Sequence, residues 1–156
     1  MLIRAKNLHY GFDFCPAFWD WLIRENNRGV VYSIERVGDE VLAGADKLSE
    51  WARERGDGFF LRPKPTLLPA LSTVAEWVSG RSYTQGAVNT FFQSADYYLV
   101  AQAYAGRYTL VTHEIRSVSV RKVKIPDVCI GLNVKCVSPH EMLRNEGARF
   151  VLAPES

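Results

Sequence analysis

Three acidic residues of this chain stand near the ends of apolar, strand-like segments. Asp96 lies inside the apolar run SADYYLVAQAYAGRYTLVTHE, and Glu114 ends that run. Glu40 lies in an earlier helix-like segment, about two turns after an apolar stretch. Helical spacing places Asp96 on one face with apolar residues three and four positions away. An ionised carboxylate there is costly unless it is paired, solvated or bound to a cation.

Carboxylates that share a cleft raise one another's pKa unless a divalent cation neutralises them. Carboxylate oxygens with retained waters are the ligands that Mg²⁺ and Mn²⁺ prefer, and such an ion activates water against a phosphodiester. Glu40, Asp96 and Glu114 are therefore candidate metal ligands and catalytic residues. Other readings stay open: Asp96 could pair with Arg107 or cap its helix, Glu40 could be a surface charge, and Glu114 could only end a strand.

Short apolar segments alternate with amphipathic ones, which predicts an α/β fold with a mostly parallel sheet. Ser33, Asp46 and Ser138 have the chemistry of helix N-caps. In such sheets the sites form at the carboxyl ends of strands, where the three acids are expected. Helices are predicted at residues 15–29, 34–44, 47–56, 66–80, 85–92, 94–104 and 139–143, and strands at 30–32, 58–61, 108–112 and 134–137.

The composition predicts a single domain, residues 1–156, with an apolar share of 47%. No apolar run reaches the roughly 18 residues of a membrane span, and the N-terminus lacks the apolar region of a signal peptide, so we expect a cytoplasmic protein. The net charge of +2 permits contact with phosphate, but it is too small to indicate a nucleic-acid-binding protein by itself. The three cysteines show neither metal-type nor redox-type spacing.

Several short motifs follow one another along the chain in a definite order. The segment SIERVGDE carries Glu40, Ala-Asp opens the helix of Asp96, and Thr112-His113-Glu114 ends a strand. The segments AKN and FDFCPAFWDWL precede these motifs, and KIP and VKC follow them. In these features the chain resembles the PIN-domain nucleases, particularly a PIN-like branch of the toxin–antitoxin type, and the resemblance covers essentially all of it.

The resemblance implies a PIN-like α/β/α sandwich with a central, mostly parallel sheet. It also implies cleavage of RNA that depends on Mg²⁺ or Mn²⁺, with Glu40, Asp96 and Glu114 as the metal-site acids. Thr112 would orient the site through its hydroxyl. A toxin of this kind is held inactive by a cognate antitoxin protein.

The chain departs from the family at its beginning. The family's first strand carries an Asp a few residues before the segment that matches Ile3 to Asn7, whereas this chain begins at Met1. We expect a gap in the sheet flanked by unpaired backbone, and a weak or inactive nuclease with its first strand truncated. The alternative is a non-catalytic PIN-like binding module that sequesters an antitoxin or RNA. A phosphohydrolase acting on a small molecule ranks last, because no Asp ends a first strand.

Other residues have two readings each. Arg116, Arg121, Lys122 and Lys124 could hold the RNA backbone or form a solvated loop. His113 is expected to pack rather than to move protons. The apolar faces of the first helix and of AEWVSG could bind an antitoxin segment or a second subunit in a homodimer.

Overall fold

Short parallel strands alternate with helices along the chain. The computed structural model describes residues 1–155, so Ser156, the last residue of the predicted domain, lies outside it. The mixed α/β class and the parallel pairing of the strands are confirmed. None of the helices in residues 1–155 is long and apolar enough to cross a membrane.

The elements follow one another with short connections. The helices are α1 (Leu2–Arg4, continued by a wider π-helical turn at Ala5–His9), α2 (Pro16–Asn27), α3 (Glu35–Leu42), α4 (Lys47–Arg53), α5 (Leu67–Ser79), α6 (Gln85–Gln93), α7 (Ala95–Gly106), α8 (Ile125–Gly131) and α9 (Pro139–Asn145). The strands are β1 (Ser33–Ile34), β2 (Phe60–Leu61), β3 (Leu110–Val111) and β4 (Cys136–Val137). The sequence had not predicted α1 or α8.

Two of the predicted N-caps are confirmed. Asp46 and Ser138 each begin a helix with a capping box, in which the cap side chain and the residue three positions later exchange hydrogen bonds with each other's backbone. The prediction for Ser33 is wrong, because Ser33 belongs to β1 and its N–H donates to the Phe59 carbonyl at 2.8 Å. The strand that was predicted at residues 30–32 therefore lies further along the chain, and α3 begins after Ile34.

The strands form two separate parallel pairs in the described residues. In the first pair Ser33 lies opposite Phe60, and in the second Leu110 lies opposite Cys136. A cavity of about 540 Å³ lies between β1 and β3, with residues 30–34 on one side and 107–111 on the other. We call this cavity the slot.

Two apolar clusters hold the helices against the strands. One joins α5, α6, α7 and α8, and the other joins α1, α2, α4 and β2. Helix α3 contacts both α4 and α7, and so connects the two halves. Gly38 allows its close approach to β2, because a Cβ there would lie 2.9 Å from the Phe60 ring. The position of α3 matters because it carries Glu40.

Candidate active site

Asp96 lies in the first turn of α7 and is half-buried. Within residues 1–155 its carboxylate has neither a hydrogen bond nor a salt bridge. Pairing with Arg107 is not observed, since Arg107 is exposed at the opposite end of α7, where its φ is 56°. The capping role is also absent, because no side chain caps α7 from its own N-terminal turn. Asp96 is thus a partly desolvated acid without a local structural partner.

Glu40 and Glu114 each accept a hydrogen bond from the first backbone N–H of a helix to which they do not belong. The N–H of Ala95, the first residue of α7, donates to Glu40 Oε1 at 3.3 Å. The N–H of Ile125, the first residue of α8, donates to Glu114 Oε2 at 2.9 Å. Each carboxylate thus satisfies an amide that the helix itself leaves unpaired. The first bond places Glu40 at the residue before Asp96, and the second holds Glu114 at the start of α8.

Thr112 fixes the turn that leads from β3 to Glu114. Its own N–H donates to the Val137 carbonyl at 3.1 Å, which extends the pairing of β3 with β4. Its buried hydroxyl oxygen accepts the Glu114 N–H at 3.1 Å. The Thr112 side chain therefore positions the backbone of Glu114.

The charges of the three acids act on one another. Burial raises the pKa of Asp96, and the negative charges of Glu114 and then Glu40 raise it further. The ammonium group of Met1 and the side chain of Lys122 act in the opposite direction. A raised pKa means that the ionised carboxylate is disfavoured here unless a positive charge accompanies it.

The charges of all three acids also influence the amino group of Met1. Its burial lowers its pKa, whereas the Asp96, Glu114 and Glu40 carboxylates, in that order, raise it. The carboxylates on α3, on α7 and after β3 thus all influence this one amino group.

The donor set of this site is compatible with a divalent cation that retains water. Within residues 1–155 no three His, Cys, Asp or Glu side chains lie close enough to hold a metal ion together. Mg²⁺ in proteins commonly takes one or two carboxylates and keeps several waters. Asp96 would be the first ligand, because its oxygens have no other partner, and Glu114 and Glu40 would act beside it.

The comparison with protein families gives one match. The family described as "Domain of unknown function (DUF4411)" matches residues 1–150. The chain belongs to the DUF4411 family. Comparisons with curated proteins and with solved structures gave no match.

The four basic residues of the loop after Glu114 differ in their surroundings. Arg116 forms a salt bridge with Asp127 at 3.3 Å. Arg121 and Lys122 are exposed, and Lys124 is half-buried immediately before α8. Of the four, only Lys122 affects the pKa of Asp96. Lys122 is therefore the residue of this loop whose charge favours the ionised form of Asp96.

The fold also brings together three histidines that the sequence had left apart. The rings of His9 and His113 stack at 5.0 Å, and that of His140 lies 6.0 Å from His9. The Tyr10 hydroxyl lies 3.1 Å from His140 Nδ1. Burial, together with nearby positive groups, lowers the pKa of His113 to about 4. No spacing signal could have found this cluster, because its members come from three distant segments.

A fully buried acid was also missed. The Glu25 carboxylate has no exposed surface, and it accepts hydrogen bonds from Arg24 at 3.0 Å and from Arg28 at 2.9 Å. Arg28 lies three positions after Glu25, a spacing that also occurs in exposed helix pairs, and Arg24 is its neighbour in sequence. Because its charge is compensated in this way, Glu25 has a structural role and is separate from the acid site.

Proposed function

We propose that this chain is a PIN-like ribonuclease whose activity depends on Mg²⁺ or Mn²⁺, and that Asp96, Glu114 and Glu40 hold the metal. The observation that carries the proposal is that Asp96 is a half-buried carboxylate without a hydrogen-bond partner, and that the charges of Glu114 and Glu40 act on it. Their mutual repulsion supplies a free-energy reason for the site to take up a divalent ion.

Each residue of the site has a role that its contacts support. Asp96 offers oxygens without another partner, and Glu114 and Glu40 offer the oxygen that remains after each binds a helix amide. Thr112 keeps Glu114 in place through its hydroxyl. A bound Mg²⁺ or Mn²⁺ would lower the pKa of a water molecule and neutralise charge on a phosphate. Lys122 and the exposed Arg121 would attract the phosphates of the substrate.

RNA as substrate, the PIN-like α/β/α arrangement and a toxin role with a cognate antitoxin follow from the resemblance of the motifs. The parallel strand pairs between helices support the fold part of this proposal. The exposed, mildly basic loop at residues 115–122 supports contact with a polyanion. Phosphate contacts of this kind add affinity without sequence preference.

A second candidate is a non-catalytic PIN-like module that binds an antitoxin or RNA. One observation favours it: within the described part of the chain, no three acids stand close enough to hold a metal ion. Both candidates predict binding of a polyanion or a partner protein, so binding does not distinguish them. Only the nuclease requires the acids to bind a cation.

The test is cleavage of a mixed set of RNAs by the wild-type chain with Mg²⁺ or Mn²⁺, compared with EDTA. The variant is Asp96→Asn, and the matched control is Asp39→Asn, which makes the same change at an exposed aspartate beside Glu40. We expect metal-dependent cleavage that Asp96→Asn reduces by about 100-fold or more and that Asp39→Asn leaves unchanged.

Binding of Mn²⁺ to the free protein, followed by titration calorimetry, gives a readout that needs no substrate. We expect one site that Asp96→Asn weakens and that Asp39→Asn preserves. If the wild-type chain neither binds Mn²⁺ nor cleaves RNA, the nuclease proposal fails and the binding module replaces it. Cleavage that persists in EDTA would also contradict the proposal, because it would need no metal-holding acids.

A further inference from the structure

Two cysteines meet where α8 ends and β4 begins. Cys129 is fully buried on α8, and Cys136 is the first residue of β4. Successive side chains of a strand point to opposite faces. Cys136 packs against the apolar cluster that contains Cys129, whereas Val137 packs against the other cluster. The two thiols therefore lie in the same part of the core, although residues 130–135 separate them along the chain.

The connection between the two cysteines is fixed by the backbone. Helix α8 ends in a Schellman motif, in which the Val134 N–H donates to the Cys129 carbonyl at 2.8 Å and the Asn133 N–H donates to the Ile130 carbonyl at 3.3 Å. Asn133 has a φ of 57°, the left-handed conformation that this motif uses. Beyond it, β4 is held by its pairing with β3. The fold, rather than a flexible loop, thus sets the position of one thiol against the other.

The two thiols interact directly. The Cys129 thiol donates a hydrogen bond to the Cys136 sulfur, which lowers the pKa of Cys136 and raises the pKa of Cys129. Burial raises the pKa of Cys129 further, whereas burial and the charges of Glu141 and Glu114 oppose the effect at Cys136 without cancelling it. The thiolate is the reactive form of cysteine. Cys136, which is half-buried, is therefore the nucleophilic member of the pair, and Cys129 is its enclosed neighbour.

We propose that Cys129 and Cys136 form a site of reversible oxidation, at which hydrogen peroxide converts the two thiols into a disulfide. The Cys136 sulfur attacks one peroxide oxygen, so that an S–O bond forms, the O–O bond breaks and the other oxygen leaves as hydroxide, which a proton converts to water. The Cys129 sulfur then attacks the resulting sulfenic acid, so that the S–S bond forms, the S–O bond breaks and the hydroxyl leaves with the Cys129 proton as water. Two thiols lose two electrons, and one peroxide is reduced to two waters.

The disulfide joins two elements that also hold the acid site. Helix α8 begins at the Ile125 N–H, which donates to Glu114, and β4 accepts the Thr112 N–H at the Val137 carbonyl. Oxidation adds a covalent bond between these same elements. The inference does not rest on the proposed function, because the thiols react with each other whether or not a metal ion binds nearby.

The test is native treatment of the reduced full-length chain with hydrogen peroxide, followed by denaturation, alkylation of the remaining thiols and peptide mass spectrometry. Lys135 lies between the two cysteines, so trypsin places them in separate peptides unless a disulfide joins them. We expect both thiols to be lost together as one linked peptide pair, and dithiothreitol to restore them. Cys15, which packs against the other cluster, should remain open to alkylation.

Three variants distinguish the roles of the cysteines. In Cys129→Ala the oxidation of Cys136 should stop at sulfenic acid, and dimedone should label it about 10-fold or more above the wild type, in which Cys129 consumes the sulfenic acid within the chain. In Cys136→Ser the buried Cys129 should keep its thiol. The matched control is Cys15→Ser, which removes a cysteine outside the pair and should form the disulfide like the wild type.

Two results would overturn the proposal. One is a wild-type chain whose thiols all stay open to alkylation at a peroxide concentration that oxidises glutathione in a parallel sample. The other is oxidation that gives only sulfinic acid at Cys136 or disulfides between different chains, because the fold would then not hold the two thiols in position to react. Both results are read on the wild type, so the proposal remains falsifiable even if Cys129→Ala fails to fold, which circular dichroism will show.

Discussion

Glu114 is expected to stabilise the fold even if it also serves a metal site. Its Oε2 accepts the N–H of Ile125 at 2.9 Å, and this amide begins α8. In the variant Glu114→Ala the amide loses its partner. At the same time the variant removes a negative charge that raises the pKa of Asp96, so part of the loss is offset.

The size of the effect follows from the kind of bond. A hydrogen bond to a charged group contributes about 1.5–3 kcal/mol to stability. With about 2.1 cal/mol/K of unfolding entropy per residue, a chain of 156 residues loses roughly 3 °C of Tm for each kcal/mol. Glu114→Ala should therefore lower the Tm by about 5–9 °C, and the relieved repulsion at Asp96 shifts the result towards the smaller value.

The assay is thermal unfolding at neutral pH, followed by calorimetry. Asp39→Ala removes an exposed acid in the middle of α3 and should change stability by no more than about 0.5 kcal/mol. Glu114→Gln keeps an acceptor oxygen and should fall between the wild type and Glu114→Ala. An unchanged or higher Tm in Glu114→Ala would refute the reasoning, since the bond to α8 would then contribute nothing.

Three further predictions concern charges. Asp96→Asn should raise the free energy of unfolding at neutral pH, because the pKa of Asp96 is higher in the folded state than in the unfolded state. The destabilisation by the ionised acid develops as the pH rises from the unfolded-state pKa to the folded-state pKa. Urea unfolding at a series of pH values should therefore show that the gain in the variant vanishes in acid. Wild-type stability should fall as pH drops from about 6.5 towards 4, because folding disfavours protonated His113, and in His113→Asn the same titration should be flatter. The double variant Arg24→Ala with Arg28→Ala removes both partners of the buried Glu25 carboxylate. It should lower the free energy of unfolding by about 3–5 kcal/mol, measured with denaturant. Glu25→Gln should lower it less, because that variant leaves no buried charge.

The elements that the sequence determined are those with local signals. Asp46 and Ser138 begin helices because each cap and its partner are three residues apart, so a short segment contains the whole interaction. The acids of the candidate site also have local signals, since Asp96 lies in the first turn of an apolar helix and Glu114 lies shortly after a strand. Helical spacing and strand ends are properties of a few neighbouring residues.

The tertiary structure alone decided the interactions between distant segments. Ser33 could cap α3 by its chemistry, but its backbone pairs with β2, 27 residues away along the chain in the observed register. The bond between Glu40 and Ala95 spans 55 residues. The histidine cluster and the slot are likewise formed by segments that meet only after folding. A sequence pattern reports the preferences of neighbours, whereas the partners of a carboxylate or a strand edge are chosen by packing, because burial determines which polar groups have to be satisfied there.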